Sequence, residues 1–427
     1  MTGSSERSII MRVDVPDPHL MELFERIHSS EEEMVGFLAE LVHMPAIGPL
    51  SGGEGEWKKA RLIETYLRKW NVGEILHHDA PDETVPEGSR PNIEIRVRGK
   101  RSGNRIVVIA HMDVVPPGDP ASWSSDPFTL KIEDGRAIGR GVEDNGQSIV
   151  ASIFALKTMM DLRIEPPYDL SLFLVSDEEE TNRKGIGHLL KEGLLGKGDL
   201  ILVPDHGEPN GRLIELCEKT LLWVKIKVTG KQCHASMPHL GNNALRASMI
   251  YGSRLDAQIH KRFDRSDASF DHPLSSFEPT KRESGLDGIN ILPGEDVFYL
   301  DCRLLPDYST DEVIAEMHRV AREVEAETGT TIDIETVLSE TTIRPTLPNS
   351  SIVRMLTNAI QLVSHRIPYT GGIGGGTCAA LIRNAGFDVA VWETILNRAH
   401  SPNEYIEIEN LLNDCKVMAT LFSSPTD

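Results

Sequence analysis

Apolar residues recur at helical spacing over residues 20–42 and again over 57–70, so the chain opens with two amphipathic helices, separated by the Gly-, Ser- and Pro-rich stretch 45–55. Residues 93–97 and 106–110 read as strands. The second is a continuous apolar run of the kind buried on both faces, and it ends at His111. After a loop over 116–127, the pattern predicts a helix over 147–162, a strand over 170–175, a helix over 187–192 and a short strand over 200–203. Strands alternating with helices mark an α/β sheet. Polar residues cluster where these strands end: His111 and Asp113, then Asp177 to Glu180, then Asp205. In open α/β sheets, ligands bind outside the carboxyl ends of the strands.

From residue 221 the period changes. Val224, Ile226 and Val228 alternate with Trp223, Lys225 and Lys227, as in a sheet with one wet face. A helix over 243–260, a strand over 297–304, a helix over 311–328 and a strand over 331–337 follow, which predicts an inserted α+β domain of ferredoxin-like type. The first domain resumes with a helix over 350–365, a strand over 387–392 and a closing helix over 406–421. The expected division is 1–218 and 337–427 for one domain, with 219–336 inserted.

A chain of 427 residues exceeds what one core normally organises, which agrees with two domains. Forty-four Lys plus Arg against sixty-five Asp plus Glu leave a net charge of −21, which repels nucleic acid and anionic lipid. The five cysteines, Cys217, Cys233, Cys302, Cys378 and Cys415, are odd in number and form no Cys-x-x-Cys pair. They point to a reducing, cytoplasmic setting and away from thiolate zinc. Residues 1–18 lack an apolar leader core, and no apolar run approaches the roughly 20 residues of a membrane helix.

His111 and Asp113 lie two apart at a strand end, so both side chains point the same way and the carboxylate can orient the imidazole. Asp144 sits in a glycine-rich stretch, 139–146, whose backbone freedom can aim a carboxylate inward. In Asp177-Glu178-Glu179-Glu180 successive carboxylates diverge, so one can hold a metal while its neighbour handles a proton. Asp205 and His400 stand at further strand or loop ends. Each is ordinary alone, but together they make a set of imidazoles and carboxylates suited to zinc, with cobalt or manganese also possible. Gly374-Gly375-Gly376-Thr377 lacks the Lys of a phosphate loop and the third Gly of a dinucleotide fingerprint.

The stretches VVIAHMDVVP (107–116), DPFTLKIEDGRAIGRGVEDNG (126–146), SDEEE (176–180), HASMPHLGNNA (234–244), NILP (290–293) and HSPNEYIEIENL (400–411) occur in one order along the chain. In this the sequence resembles the di-zinc amidohydrolase and exopeptidase family of carboxypeptidase G, acetylornithine deacetylase, succinyl-diaminopimelate desuccinylase and the aminoacylases. The resemblance implies a mixed-sheet α/β/α zinc-peptidase domain with a ferredoxin-like lid that forms a homodimer. It implies one metal on His111, Asp205 and Asp144, and a second on Glu179, His400 and the same Asp144. Glu178 becomes the general base, Asp113 orients His111, and the Asp144–Asn145 bond is expected to be cis. His234 is implied to serve the oxyanion in the partner subunit's site, and Asn290, Arg303, Arg344, Gly376 and Thr377 to hold the substrate. Where the family commonly has Asp after that Thr, Cys378 stands here, which bears on substrate identity.

The activity so implied is hydrolysis of an amide bond in an N-acyl amino acid or small peptide bearing a free carboxylate. The alternatives are a di- or carboxypeptidase of the same family, or a non-catalytic binding homologue, which would have lost a ligand or the base. A bridging-metal phosphoesterase would need a phosphate cradle that the sequence lacks.

Overall fold

The computed structural model describes residues 18–424 apart from 284–287 and 343, so the reading of the amino-terminal stretch as free of a leader lies outside the described residues. The apolar run ending at His111 forms the strand Arg101–His111, with Tyr168–Val175 and Leu200–Gly207 parallel to it on either side. Alternate side chains of a strand go to opposite faces. Ile106, Val108 and Ala110 accordingly enter one apolar cluster with Phe37, Ile63 and Phe154, while Val107 and Ile109 enter another with Ile186, Leu189 and Ile382. Helices therefore cover both faces, which is why the sequence shows an unbroken apolar run.

The sheet has eight strands in the order Glu74–His77, Ile93–Val97, Tyr168–Val175, Arg101–His111, Leu200–Gly207, Val389–Glu393, Leu213–Glu218 and Tyr369–Ile373. It is mixed, because the first strand runs antiparallel to the second, the second antiparallel to Tyr168–Val175, and Leu213–Glu218 antiparallel to Val389–Glu393. The four central strands are parallel, so their carboxyl ends lie along one edge. Helix Gln147–Asp161 is buried from Gln147 to Met159, as an apolar-all-round helix should be.

The second sheet is antiparallel, in the order Ser276–Arg282, Glu295–Leu304, Thr220–Thr229, Thr331–Glu340. Helices Ala244–Arg262 and Thr310–Thr328 pack on it through Tyr251, Leu255, Met317 and Val320. The chain order is strand, helix, strand, strand, helix, strand, as in a ferredoxin-like domain. Ser276–Arg282 was absent from the spacing pattern because it is a charged edge strand containing Pro279, a residue tolerated only where no ladder bond is needed.

Two further elements differ from the periodicity. The predicted helix over 20–42 is two helices, Pro18–His28 and Glu31–His43. The Ser29 and Ser30 hydroxyls donate to the Arg26 carbonyl at 2.8 and 2.9 Å, competing with the helical ladder there. Tyr369–Ile373 escapes detection because glycines occupy it. A Cβ on Gly371 would stand 2.9 Å from the Leu213 side chain, and one on Gly372 2.8 Å from Cys217 Sγ, so close strand approach excludes β-formers. No helix among the described residues is long and apolar enough to cross a membrane.

Candidate active site

Register sets the site. His111 pairs with Val175, so the turn Ser176 to Glu180 lies directly beside Met112 and Asp113. The Asp113 carboxylate accepts the amides of Glu178 at 3.1 Å and Glu179 at 2.9 Å, which fixes where those two side chains start. His111 Nδ1 lies 3.0 Å from the Asp113 carbonyl oxygen and 3.6 Å from its carboxylate. The main chain of Asp113 thus makes the closer contact with the imidazole, and its side chain chiefly holds the acidic turn.

From this edge His111 Nε2 points at Asp144 Oδ1 (2.8 Å) and Asp205 Oδ1 (3.2 Å). His400 Nε2 points at the other Asp144 oxygen, Oδ2 (3.1 Å), and at Glu179 Oε2 (3.0 Å). Asp144 therefore stands between two histidines and offers one oxygen to each. The Asp144–Asn145 peptide is cis. Asn145, named from the sequence only for that peptide bond, also ties the edge together: its side-chain amide donates to the Pro204 carbonyl at 2.7 Å and to Asp205 at 3.1 Å.

Burial pushes the Glu178 carboxyl well above its usual range, and the charge of Asp205 adds to this. Burial and Asp144 raise Glu179 to about 7, and burial raises Asp205. Hydrogen bonds to Asp144 and Glu179 raise His400 to about 10. For His111 burial works downward, but the surrounding carboxylates prevail and raise it. Asp144 runs the other way: burial opposes it, but the two histidines hold it low. Such opposed shifts follow from burying several carboxylates beside two imidazoles.

The donor set fits divalent metal. His111, Asp144 and Glu179 bring one donor atom each within 4.8 Å of one another, and so do His111, Glu178 and Asp205. Glu179 Oε1 is buried without a hydrogen-bond partner, a position that a cation would satisfy. Behind the turn, buried Glu56 accepts from Arg90 Nε at 2.6 Å and from the Asp177 amide at 3.3 Å, and Lys59 Nζ donates to the Met112 carbonyl at 2.8 Å. These supports lay outside the sequence reading, since a Glu and a Lys inside a helix-like stretch carry no local mark of their tertiary partners.

The carboxylates open into a cleft of about 430 Å³, walled on the far side by Leu221, Trp223, Leu338 and Glu340 of the four-stranded sheet. Gly376 and Thr377 line it, and the Thr377 hydroxyl donates to buried Glu218 at 2.7 Å. Arg303 is paired with Asp301 at 2.7 Å and donates to the Gly374 carbonyl at 3.2 Å, so it abuts the glycine loop. Cys378 is buried in the apolar cluster of Val107 and Val175. Besides Arg303, three predicted substrate and oxyanion positions lie away from the cleft lining. Arg344 is surface-paired with Asp388 at 2.6 Å, while His234 and Asn290 are exposed on the inserted domain, where the Asn290 carbonyl accepts from the Ala235 amide at 2.9 Å.

Residues 107–424 match Peptidase family M20/M25/M40. An uncharacterized metallohydrolase of Methanococcus maripaludis is 34% identical over 408 residues, which cover 90% of this chain and 97% of that protein. Among solved structures, a dipeptidase of Saccharomyces cerevisiae aligns with a TM-score of 0.73 at 17% identity, covering 95% of this chain and 98% of that one. A Bacillus subtilis protein described as a dinuclear metal binding peptidase of the M20 family aligns at 0.65 and 15%, covering 93% and 98%. At such identities the structures show likeness of fold.

Proposed function

The chain belongs to Peptidase family M20/M25/M40 and is a metallohydrolase, and from that premise we propose that it cleaves an amide bond in an N-acyl amino acid or small peptide bearing a free carboxylate. The observation that carries this reading is Asp144, whose two oxygens face His111 and His400 separately at 2.8 and 3.1 Å. One cation site then consists of His111, Asp205 and Asp144, and the other of His400, Glu179 and Asp144. Bound divalent ions, zinc by donor chemistry, would acidify a water and polarise the scissile carbonyl.

The chain's own groups supply the rest. Glu178 is the base: its carboxylate lines the cleft, and burial gives it an affinity for a proton that a surface Glu lacks. It takes the proton of the attacking water and returns it to the leaving amine, so the C–N bond breaks and one water is consumed. Gly376 and Thr377, with Arg303 behind the loop, are assigned to the substrate carboxylate. The apolar wall of Leu221, Trp223 and Leu338 receives the side chain or acyl group.

A panel of N-acetyl, N-succinyl and dipeptide substrates, assayed with zinc, cobalt and manganese, tests the reading by kcat/KM. Preference for a blocked amine identifies a deacylase or desuccinylase, and preference for a free amine identifies a dipeptidase. Absence of hydrolysis across the panel, with two metals bound, would refute the proposal.

His234 is assigned to the neighbouring subunit of a cytoplasmic homodimer. It is exposed on the inserted domain, and the Ser236 amide donates to its Nδ1 at 3.1 Å, which leaves Nε2 to carry the proton an oxyanion needs. His234→Ala and Glu178→Ala are each expected to be nearly inactive. A mixed dimer, however, holds one site with Glu178 from one chain and His234 from the other. With random exchange half the dimers are mixed and one site in two is complete, so activity should return to roughly a quarter of wild type per site. If subunits exchange and no activity returns, His234 does not act across an interface.

A further inference from the structure

Two buried glutamates cross-tie the segment carrying Asp144 to the loop carrying His400. Glu404 accepts the amides of Gly141 at 3.1 Å, Glu143 at 2.9 Å and Asp144 at 3.2 Å, and the Arg140 guanidinium at 2.6 Å. In the opposite direction Glu143 accepts the amides of Leu396, Arg398 and Ala399, the last at 2.7 Å. Both glutamates are buried, at 0% and 2% exposure, so water cannot substitute for these bonds. Beyond Glu404 a short antiparallel ladder, Arg136–Ile138 against Tyr405–Glu407, holds the same two segments together.

The tied loop would not adopt this path unaided. Asn397, His400 and Asn403 have φ of 57°, 61° and 57°, in the left-handed region. Asn and His enter that region more readily than most residues, but three such positions between 397 and 403 make a path that its surroundings must impose. The carboxylate of Glu143, receiving amides on both sides of the loop's turn, supplies that imposition through charge-assisted bonds. Glu143 borders the cleft, but its carboxylate is taken up by the loop amides, and neither glutamate belongs to the donor groups.

We propose that Glu143 and Glu404 are positioning residues for the metal pair, an inference that rests on the two-metal reading above. Glu143 holds His400 against Asp144 and so sets the affinity of the second cation. Glu404 holds Asp144 itself and so affects both. In Glu143→Gln one acceptor oxygen becomes an NH2 that confronts an amide N–H, so the loop loses part of its tether while side-chain volume is kept.

The test titrates Zn2+ into metal-stripped wild type, Glu143→Gln, Glu143→Asp and Glu404→Gln, with the visible spectrum of Co2+ reporting each site's geometry and thermal unfolding reporting the fold. Wild type should bind two equivalents. Glu143→Gln should keep its first-equivalent affinity and lose about 10–100-fold in the second, the usual cost of removing a group that orients a ligand. Glu143→Asp, which retains two acceptor oxygens on a shorter arm, should fall between, and it keeps the question open to test if the Gln variant does not fold. Glu404→Gln should weaken both equivalents. Wild-type affinity for both equivalents in a folded Glu143 variant would overturn the proposal, and so would equal weakening of both, since a general loss of stability would produce that. Fewer than two equivalents in the wild type would instead sink the two-metal reading itself.

Discussion

Glu178→Gln is expected to retain two bound metals and the wild-type fold while kcat falls by about 10²–10⁴-fold, the usual contribution of a positioned general base. That is roughly 3–5 kcal/mol of barrier, at about 1.36 kcal/mol per factor of ten. The amide keeps the volume of the carboxyl and can keep the contact with Asn182 Nδ2, which lies 3.5 Å from Glu178 Oε1. What it cannot do is accept the water's proton. Metal analysis is essential beside the kinetics, because Glu178 also stands with His111 and Asp205 in a set of donor atoms within 4.8 Å of one another. Loss of one metal with the fold retained would make Glu178 a ligand. Near-normal turnover would place the base elsewhere.

Asp144→Ala is expected to lose both metals. Two dications a few ångströms apart repel about four times as strongly as unit charges, which at 4 Å and an effective dielectric of 20 already interact by about 4 kcal/mol. Only a carboxylate shared by both sites offsets that repulsion. Asp144 alone among the site carboxylates faces both histidines, through different oxygens. His111→Ala and His400→Ala should each weaken chiefly one site, because each imidazole meets a different second carboxylate, Asp205 or Glu179. Metal content after dialysis decides between these outcomes. One tightly held metal in Asp144→Ala would show that the two sites do not share it.

Much of this was written locally. The apolar run before His111 specified a strand covered on both faces, and the alternation of strands with helices specified an α/β sheet whose carboxyl ends carry the acidic turn and Asp205. The short motifs carry His111, Asp144, Glu178, Glu179 and His400, and together with Asp205 at a further strand end all six converge. Local pattern suffices for such features because strand period, turn chemistry and ligand type are properties of neighbouring residues.

Other features exist only between distant segments. Glu143 and the amide of Leu396 are 253 positions apart, and nothing near either residue marks the pairing. The glycine strand Tyr369–Ile373 and the edge strand Ser276–Arg282 were decided by what lies against them, and they contradict the propensities of their own residues. The side chain of Asp113 was placed by register: the pairing of His111 with Val175 sets the Glu178 and Glu179 amides within its reach, closer than the imidazole it was expected to hold. The sequence by itself thus named the groups that meet at the sheet edge, because imidazoles and carboxylates are legible residue by residue. Only the tertiary structure decided what holds them in place, because buried amides and carboxylates must find partners wherever the folded chain brings them.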